Sequence, residues 1–455
     1  MASTYLTRTP SSASNRRIFT FSAWVKRSNP SGVDMIFQQG SDTANRFGLN
    51  FQGGNLRWRG LTGGSNTAYL VTNRVFRDTS AWYHIVARFD STNATAGDRM
   101  RLYINGVEET SFSTDINPSL NYESFVNTTN PIDIGRNNTS NDSFFDGEMA
   151  HVHFIDGTAY DASAFGETDA TTGIWKPITE PSVTYGTNGF FLKFENSGAF
   201  GTDSSVNGNN FTVNGTMTQT IDTPSNVFAT FNPLTIPSSS GLTLSDGNLS
   251  LSGSSTDAGA KATLGVSSGK WYWEVKANIA SSGSDRHLVA TDIVRQITSA
   301  TDPNSQGIWG IQSRSGSGAT LNSYTNGTFS NVNTGSTGYD DNTIISVALD
   351  MENGKLYFAK NGTWTDLAGN VGDPVAGTNP TFTGLPTDGT IILPYVENRQ
   401  AGTPSSQINF GNGYFGTTAV SSAENPDDGI GIFEYAVPTG YKALCTKSIN
   451  AQEYD

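Results

Sequence analysis

The sequence contains a single cysteine, Cys445, among its 455 residues. One thiol cannot form an internal disulfide, and it cannot supply the sulfur ligands of a cysteine-based zinc site. The chain is therefore not a small domain stapled by disulfides, and we expect its stability to come from packing.

Basic residues and long apolar runs are also scarce. Lys and Arg number 27 against 41 Asp and Glu, which gives a net charge of −14, whereas proteins that bind nucleic acid through general electrostatics need a basic surface. No segment approaches the ~20 apolar residues of a membrane span. Residues 1–18 are polar and lack the apolar core of a signal peptide. We therefore expect no nucleic-acid partner, no membrane insertion and no Sec-type export.

Helical periodicity is nearly absent, whereas strand periodicity recurs along the whole chain. Apolar residues alternate at period two in the segment 19–25, at Phe19, Phe21, Ala23 and Val25. Similar segments, separated by Gly- and Asn-rich turns, lie at 82–90, 99–109, 270–278 and 343–362. Short alternating strands of this kind predict antiparallel β-sandwiches. Three prolines and few charges in residues 223–240 predict a linker that is partly pinned by Val227, Phe228 and Phe231. We therefore expect one sandwich at 1–222 and another at 241–455.

Motifs in the two halves resemble two branches of one sandwich superfamily. The motifs WYHIVA (82–87), RLYING (101–106) and IDIGR (132–136) resemble the laminin-G-like members of the concanavalin A-like lectins and glucanases. The motifs KWYWEV (270–275) and ALDMENGKLYFAKNG (348–362) resemble a SPRY-type domain, which is another concanavalin-like sandwich. The resemblance implies an all-β protein with two antiparallel concanavalin A-like jelly-roll sandwiches in tandem, the second followed by a C-terminal tail.

A second resemblance concerns the type of protein. The pairing of these domains with the segments 1–9, 154–167, 172–177 and 437–446 is similar to structural proteins of marine tailed bacteriophages. It implies a protein of the virion surface that is assembled in the host cytoplasm and contacts other virion proteins. Because heptads, collagen repeats and a β-helix period are missing, we expect a compact knob of a tail fibre, a spike or the head, in a homo-oligomer that we take as a trimer.

The sequence offers little for catalysis. A glucanase of this fold needs two carboxylates that flank the scissile bond, and the nearest pattern, Glu167 with Asp169, lacks a second glutamate and lies in a turn-rich segment. No Gly-x-Ser-x-Gly motif opens a helix. We therefore predict a non-enzymatic protein that attaches to the particle and binds host-surface or environmental glycans. A polysaccharide depolymerase and a ligand-free cement protein are the alternatives.

Three aromatic residues are the candidate ligand-binding residues, because sugar rings stack on flat side chains beside short polar groups. Tyr324 and Tyr339 belong to a predicted loop at 313–342 that is rich in Ser, Thr and Asn, and Trp364 follows the Asn361-Gly362 turn. Loops on a rigid sandwich are common sites of recognition. The same composition also suits packing against neighbours in a particle.

We expect no resident cofactor, and calcium is the single ion for which the laminin-G resemblance gives a reason. Asp142, Asp146 and Glu148 could supply the carboxylate oxygens that this ion prefers. His151 and His153 share a strand face, but no third ligand for zinc accompanies them. No other cofactor is expected.

Overall fold

The computed structural model describes residues 4–237, 240–253, 258–278, 286–293, 307–314, 320–332, 338–399 and 405–454. The chain forms two compact units, Met1–Gln219 with Thr223–Ser225, and Thr220–Asp222 with Asn226–Asp455. Strands hold 47% of the residues and helices 4%, which confirms the predicted all-β class. None of the described helices has the length and apolar character of a membrane-spanning segment.

The strands of the first unit are β1 (Tyr5–Arg8), β2 (Ile18–Arg27), β3 (Val33–Asp42), β4 (Asn45–Gln52), β5 (Asn55–Thr62), β6 (Ser65–Val75), β7 (Trp82–Asp90), β8 (Met100–Ile104), β9 (Val107–Glu109), β10 (Phe112–Ile116), β11 (Ile132–Ile134), β12 (Gly147–Asp156), β13 (Gly166–Thr168), β14 (Trp175–Pro177), β15 (Phe190–Leu192) and β16 (Thr212–Asn214). Short 3-10 turns lie at Ala96–Asp98 and Ala162–Ala164.

Two antiparallel sheets make up this unit. Their strand orders are β10-β6-β5-β4-β3-β11-β1-β16 and β15-β12-β2-β7-β8-β9. Alternate apolar residues of both sheets form one buried core, in which the rings of Phe19 and Phe89 stack with centroids 4.7 Å apart. The hairpin β13-β14 and its neighbours form a smaller apolar cluster with Val86 and Ile155. As a result, most of β2 is buried on both of its faces.

The elements of the second unit are β17 (Thr243–Ser245), β18 (Ser250–Ser252), β19 (Gly259–Lys261), β20 (Lys270–Asn278), β21 (Arg286–Ile293), β22 (Ile308–Arg314), β23 (Thr320–Thr325), β24 (Thr328–Asn331), β25 (Ile344–Asp350), β26 (Lys355–Lys360), β27 (Thr363–Thr365), β28 (Phe382–Thr383), β29 (Ile392–Arg399), β30 (Ser405–Asn409), β31 (Tyr414–Phe415), β32 (Thr418–Ala419), β33 (Lys442–Ala443), a 3-10 turn at Pro233–Thr235 and the helix α1 (Thr446–Tyr454).

The second unit is also a two-sheet sandwich. One sheet runs β17-β18-β30-β20-β25-β26-β27, with β28 beside β26 and β33 parallel to β20, and the other runs β19-β29-β21-β22-β23-β24. Trp271, Trp273 and Val347 lie in the core between them. A further apolar cluster contains Tyr272 and Phe433.

In the predicted linker 223–240, the side chains of Phe228 and Phe231, which we expected to pin the segment, are buried in the second unit. Another segment has more regular structure than the sequence suggested. The predicted loop 313–342 includes the hairpin β23-β24, so its assignment as a loop was wrong there. Asn326 and Gly327 both have positive φ in the hairpin turn, which is the backbone geometry that an Asn-Gly pair favours.

Candidate ligand-binding groove

The outer face of the eight-stranded sheet in the first unit carries a groove with a mixed polar and apolar lining. Residues of β4 alternate between the core, at Phe47 and Leu49, and the outer face, at Gly48 and Asn50. The groove has a volume of about 280 Å³. Its lining residues are Val33, Met35, Gln38, Arg46, Gly48, Asn50, Gln52, Arg57, Arg59, Leu61, Asn137, Ser140, Asp142 and Ser143.

Strand register sets the floor of the groove. Gly48 pairs with Gln38 of β3 on one side and with Arg59 of β5 on the other. A Cβ atom at Gly48 would lie 3.1 Å from the carbonyl oxygen of Phe37 and 3.4 Å from Cγ of Gln38. The missing side chain therefore keeps the floor open between Gln38 and Arg59.

The segment 137–143 forms the wall of the groove. The backbone N–H of Met35 donates to the carbonyl of Ser143 at 2.9 Å, which fixes the wall to β3. The Asp142 carboxylate accepts from Nδ2 of Asn137 and from the hydroxyl of Ser143, both at 2.9 Å. Nη1 of Arg46 donates to Oγ1 of Thr139 at 2.9 Å. These bonds give the groove a preformed side.

Three half-buried arginines line the groove, and each is held by a neutral group. Arg46 donates to the wall, Nε of Arg57 donates to the hydroxyl of Tyr69 at 2.9 Å, and Nε of Arg59 donates to Oδ1 of Asn66 at 2.7 Å. Among the residues that the structure describes, the arginine ion pairs of this unit involve other arginines, and Asp142 acts on Arg46 as a nearby charge without forming an ion pair. The site can therefore present charged, planar hydrogen-bond donors to a ligand.

Burial and mutual repulsion both act on these charges. Burial lowers the pKa of Arg46, the nearby Arg59 and Arg57 lower it further, and Asp142 acts in the opposite direction. Burial is also the main cause that lowers the pKa of Arg59. Arginine nevertheless stays protonated in proteins, so the groove keeps its positive charge in a chain of net charge −14.

The structure does not bring the three predicted aromatic residues together at a surface. Tyr324 lies in β23 within an apolar cluster and is 3% exposed. Tyr339 is 2% exposed, and its hydroxyl donates to the backbone carbonyl of His287. Trp364 in β27 is half-buried against the cluster of Tyr272. Neither tyrosine has a free ring face for a sugar, because both rings are part of the packing.

The predicted calcium ligands are likewise not assembled. Asp142 belongs to the wall of the groove, the backbone carbonyl of Asp146 accepts from the N–H of Ser28, and Glu148 pairs with Lys26, with 3.7 Å between Oε1 and Nζ. Among the residues that the structure describes, no three His, Cys, Asp or Glu form a group able to hold a metal ion. His151 and His153 are likewise not part of such a group, and burial lowers the pKa values of both.

The three groove arginines are not among the site residues predicted from the sequence. The available signal was the alternation of Arg57 and Arg59 around the buried Trp58, which places two cations on one strand face. Arg46 lies beside these two arginines because of the register between β4 and β5. The wall, residues 137–143, comes from a segment far along the sequence. The sequence alone therefore could not show the complete site.

Comparisons with known proteins define the class of both units. Residues 2–163 match the family model of the concanavalin A-like lectin/glucanases superfamily, of the laminin G type. Residues 270–397 match the model of the SPRY domain. The chain therefore contains a concanavalin A-like domain followed by a SPRY domain, in tandem, as the sequence motifs predicted. Domains of these two types suggest a binding role.

Solved structures are similar to parts of the chain at low identity. The TRIM65 PSpry domain is 15% identical, over 40% of this chain and 91% of that chain, with a TM-score of 0.28. The SPRY domain of human HERC1 is 16% identical, over 39% and 96%, with a TM-score of 0.27. A heptameric SAP-like pentraxin from Limulus polyphemus is 17% identical, over 34% and 71%, with a TM-score of 0.27. No curated protein matches the chain.

Proposed function

We propose that the protein is a non-enzymatic binding protein of a tailed-bacteriophage virion, and that its first unit binds glycans in the groove. The observation that supports this function is the open groove on the rigid outer face of a lectin-like sandwich. Sites for small molecules are concave and place a few polar groups that fix the orientation of the ligand. Gln38, Asn50 and the arginines are such groups, because amides and guanidinium groups bond to sugar hydroxyls.

The composition of the groove favours binding over hydrolysis. A glycosidase needs one carboxyl group as acid and a second as nucleophile or base, with the two on opposite sides of the scissile bond. Asp142 is the single carboxylate among the described lining residues. The competing hypothesis, a polysaccharide depolymerase, would need a second catalytic carboxyl group and therefore a different site.

Filling the floor of the groove should abolish binding. We expect the native protein to bind at least one glycan on an array and Gly48→Gln to bind it at least about tenfold more weakly, because the new side chain would occupy the space between Gln38 and Arg59. The matched control is Gly97→Gln, because a Cβ at Gly97 has no neighbour within 4 Å. Unchanged binding by a folded Gly48→Gln protein would exclude the groove.

The virion assignment is tested on particles. We propose that the protein lies on the virion surface, forms a homo-oligomer such as a trimer, contacts other virion proteins and is assembled in the host cytoplasm. Gold-labelled antibodies should decorate particles from a lysate of the source host, either at the tail or over the head. Absence of label, together with release of reducing ends from host polysaccharide, would instead support the depolymerase.

A further inference from the structure

We infer that the groove selects acidic saccharides, and that the carboxylate or sulfate group of the sugar binds between Arg46, Arg57 and Arg59. This inference rests on the proposed glycan-binding function and adds the charge class of the ligand. It comes from the placement of three cations on one face of a sheet and from the partners that hold them.

Strand register brings the three arginines to one face. Arg57 and Arg59 are two residues apart on β5, so their side chains leave the sheet in the same direction. Arg46 of β4 pairs with Leu61, which is two residues beyond Arg59. Gly48 lies opposite Arg59 and has no side chain to separate it from Arg46. The three arginines therefore line one groove, in which the guanidinium groups of Arg57 and Arg59 lie 5.3 and 5.2 Å from the ring centre of Tyr69.

The protein offsets the charges in this space only in part, through Asp142, which lines the groove and raises the pKa of Arg46. Several other arginines of the first unit pair with carboxylates: Arg16 and Arg17 with Glu123, Arg27 with Asp34, Arg74 with Glu109, and Arg136 with Asp133. Arg8, Arg88 and Arg99 bond to neutral oxygens, but they do not line the groove. The groove arginines bond to the neutral groups of Thr139, Tyr69 and Asn66. Asp142, the acidic residue of the lining, accepts bonds from Asn137 and Ser143.

A bound anion would relieve the mutual repulsion of these cations, which a neutral sugar cannot do. The planar guanidinium group offers paired N–H donors that match the oxygens of a carboxylate or a sulfate. The neutral partners hold each guanidinium group at one side and leave further N–H donors available, since each group has five. The groove is thus complementary in charge and hydrogen bonding to an acidic group on a sugar.

The test compares one polymer with and without charge. Binding of the full-length chain to dextran, dextran sulfate and polygalacturonate is measured by calorimetry at low and high salt. We expect dextran sulfate or polygalacturonate to bind at least about tenfold more tightly than dextran, and salt to weaken the binding. Since the chain carries a net charge of −14, general attraction to a polyanion is not expected. The two acidic polymers distinguish sulfate from carboxylate.

Single substitutions then locate the site. Arg46→Gln and Arg59→Gln, which lie on different strands, should each weaken binding of the acidic polymer by about tenfold. Arg77→Gln is the matched control, because Arg77 is exposed and lies outside the groove. Equal loss in Arg77→Gln, or no loss in either groove variant, would overturn the inference. Equal binding of dextran and dextran sulfate would also overturn it while leaving glycan binding in place, whereas failure to bind any glycan would refute the proposed function itself.

Discussion

Replacing Arg27 with methionine should lower the free energy of unfolding of the first unit by about 3 to 5 kcal/mol. Arg27 and Asp34 form a buried ion pair, in which Nη2 lies 2.7 Å from Oδ2 and the side chains are 0% and 4% exposed. Methionine would retain much of the apolar volume and leave the carboxyl group of Asp34 buried without its cation. Burial already raises the pKa of Asp34 to about 6 beside Arg27, so loss of Arg27 would favour the protonated acid, which lacks its former hydrogen-bond donors. Urea-dependent hydrogen exchange of the amides in β2 and β3 measures the loss.

The large effect also reflects what else Arg27 contacts. Its Nη1 donates to the carbonyls of Gly53 and Phe76, at 2.9 and 3.0 Å, and its guanidinium group lies 4.3 Å from the ring centre of Phe51. Arg27 belongs to the six-stranded sheet, whereas Asp34 and Phe51 belong to the eight-stranded sheet. The side chain therefore links the two sheets.

Two further variants separate the charge from the packing. Arg27→Met with Asp34→Asn removes the unpaired carboxylate and should recover part of the lost stability. Arg16→Met removes an exposed pair with Glu123, with side chains 30% and 48% exposed, and should cost under about 1 kcal/mol. Similar losses in Arg16→Met and Arg27→Met would show that burial of the pair is not the cause.

The fold could be predicted from the sequence because strand alternation and turn chemistry are local. Phe19, Phe21 and Val25 are core residues, as their period-two spacing predicts. Asn105 and Gly106 form the turn after β8 with φ values of 49° and 81°, the conformation for which an Asn-Gly pair is suited. Such signals depend on a few consecutive residues, so they are readable without the tertiary structure.

The position of buried residues outside regular alternation was harder to predict. Tyr324 and Tyr339 have polar neighbours in sequence, yet both rings are buried. Tyr324 clusters with apolar residues of neighbouring strands, and Tyr339 belongs to the core of the second unit. Composition describes a segment's average character, whereas burial depends on what packs over it.

The candidate site depends on contacts between distant parts of the chain. The sequence shows Arg57 and Arg59 on one strand face, but it cannot show that Gly48 lies opposite Arg59 or that Asn137 borders the same space. Asp142 was predicted from residue type alone as a calcium ligand, whereas its carboxylate accepts bonds within the wall. Strand register and the path of the chain are tertiary properties, and they determine both the composition of the groove and the role of Asp142.

The second large effect is a pH dependence that arises from Glu274. This carboxyl group is fully buried and accepts bonds from the backbone N–H groups of Glu434 and Tyr435, both at 2.9 Å, and from the hydroxyl of Tyr272 at 2.8 Å. Burial raises its pKa from 4.5 to about 7, and the nearby charge of Glu434 adds to the rise, although the hydrogen bonds oppose it. Between these two values the folded protein keeps a proton that the unfolded chain has lost.

The stability contributed by Glu274 is therefore complete below about pH 4.5 and is lost as the pH rises through about 7, by about 3 kcal/mol in total. Glu274→Gln imitates the protonated form, so the difference in unfolding free energy between this variant and the native chain should change by that amount from pH 4 to 8. Burial lowers the pKa of His287 to about 3, so this residue destabilises the native chain and the variant equally in acid. Its effect therefore cancels in the difference between their unfolding free energies. The control is the exposed Glu352, because Glu352→Gln should give a flat difference. A flat difference for Glu274→Gln as well would show that its carboxyl group is already ionised at neutral pH, held by the two backbone N–H groups.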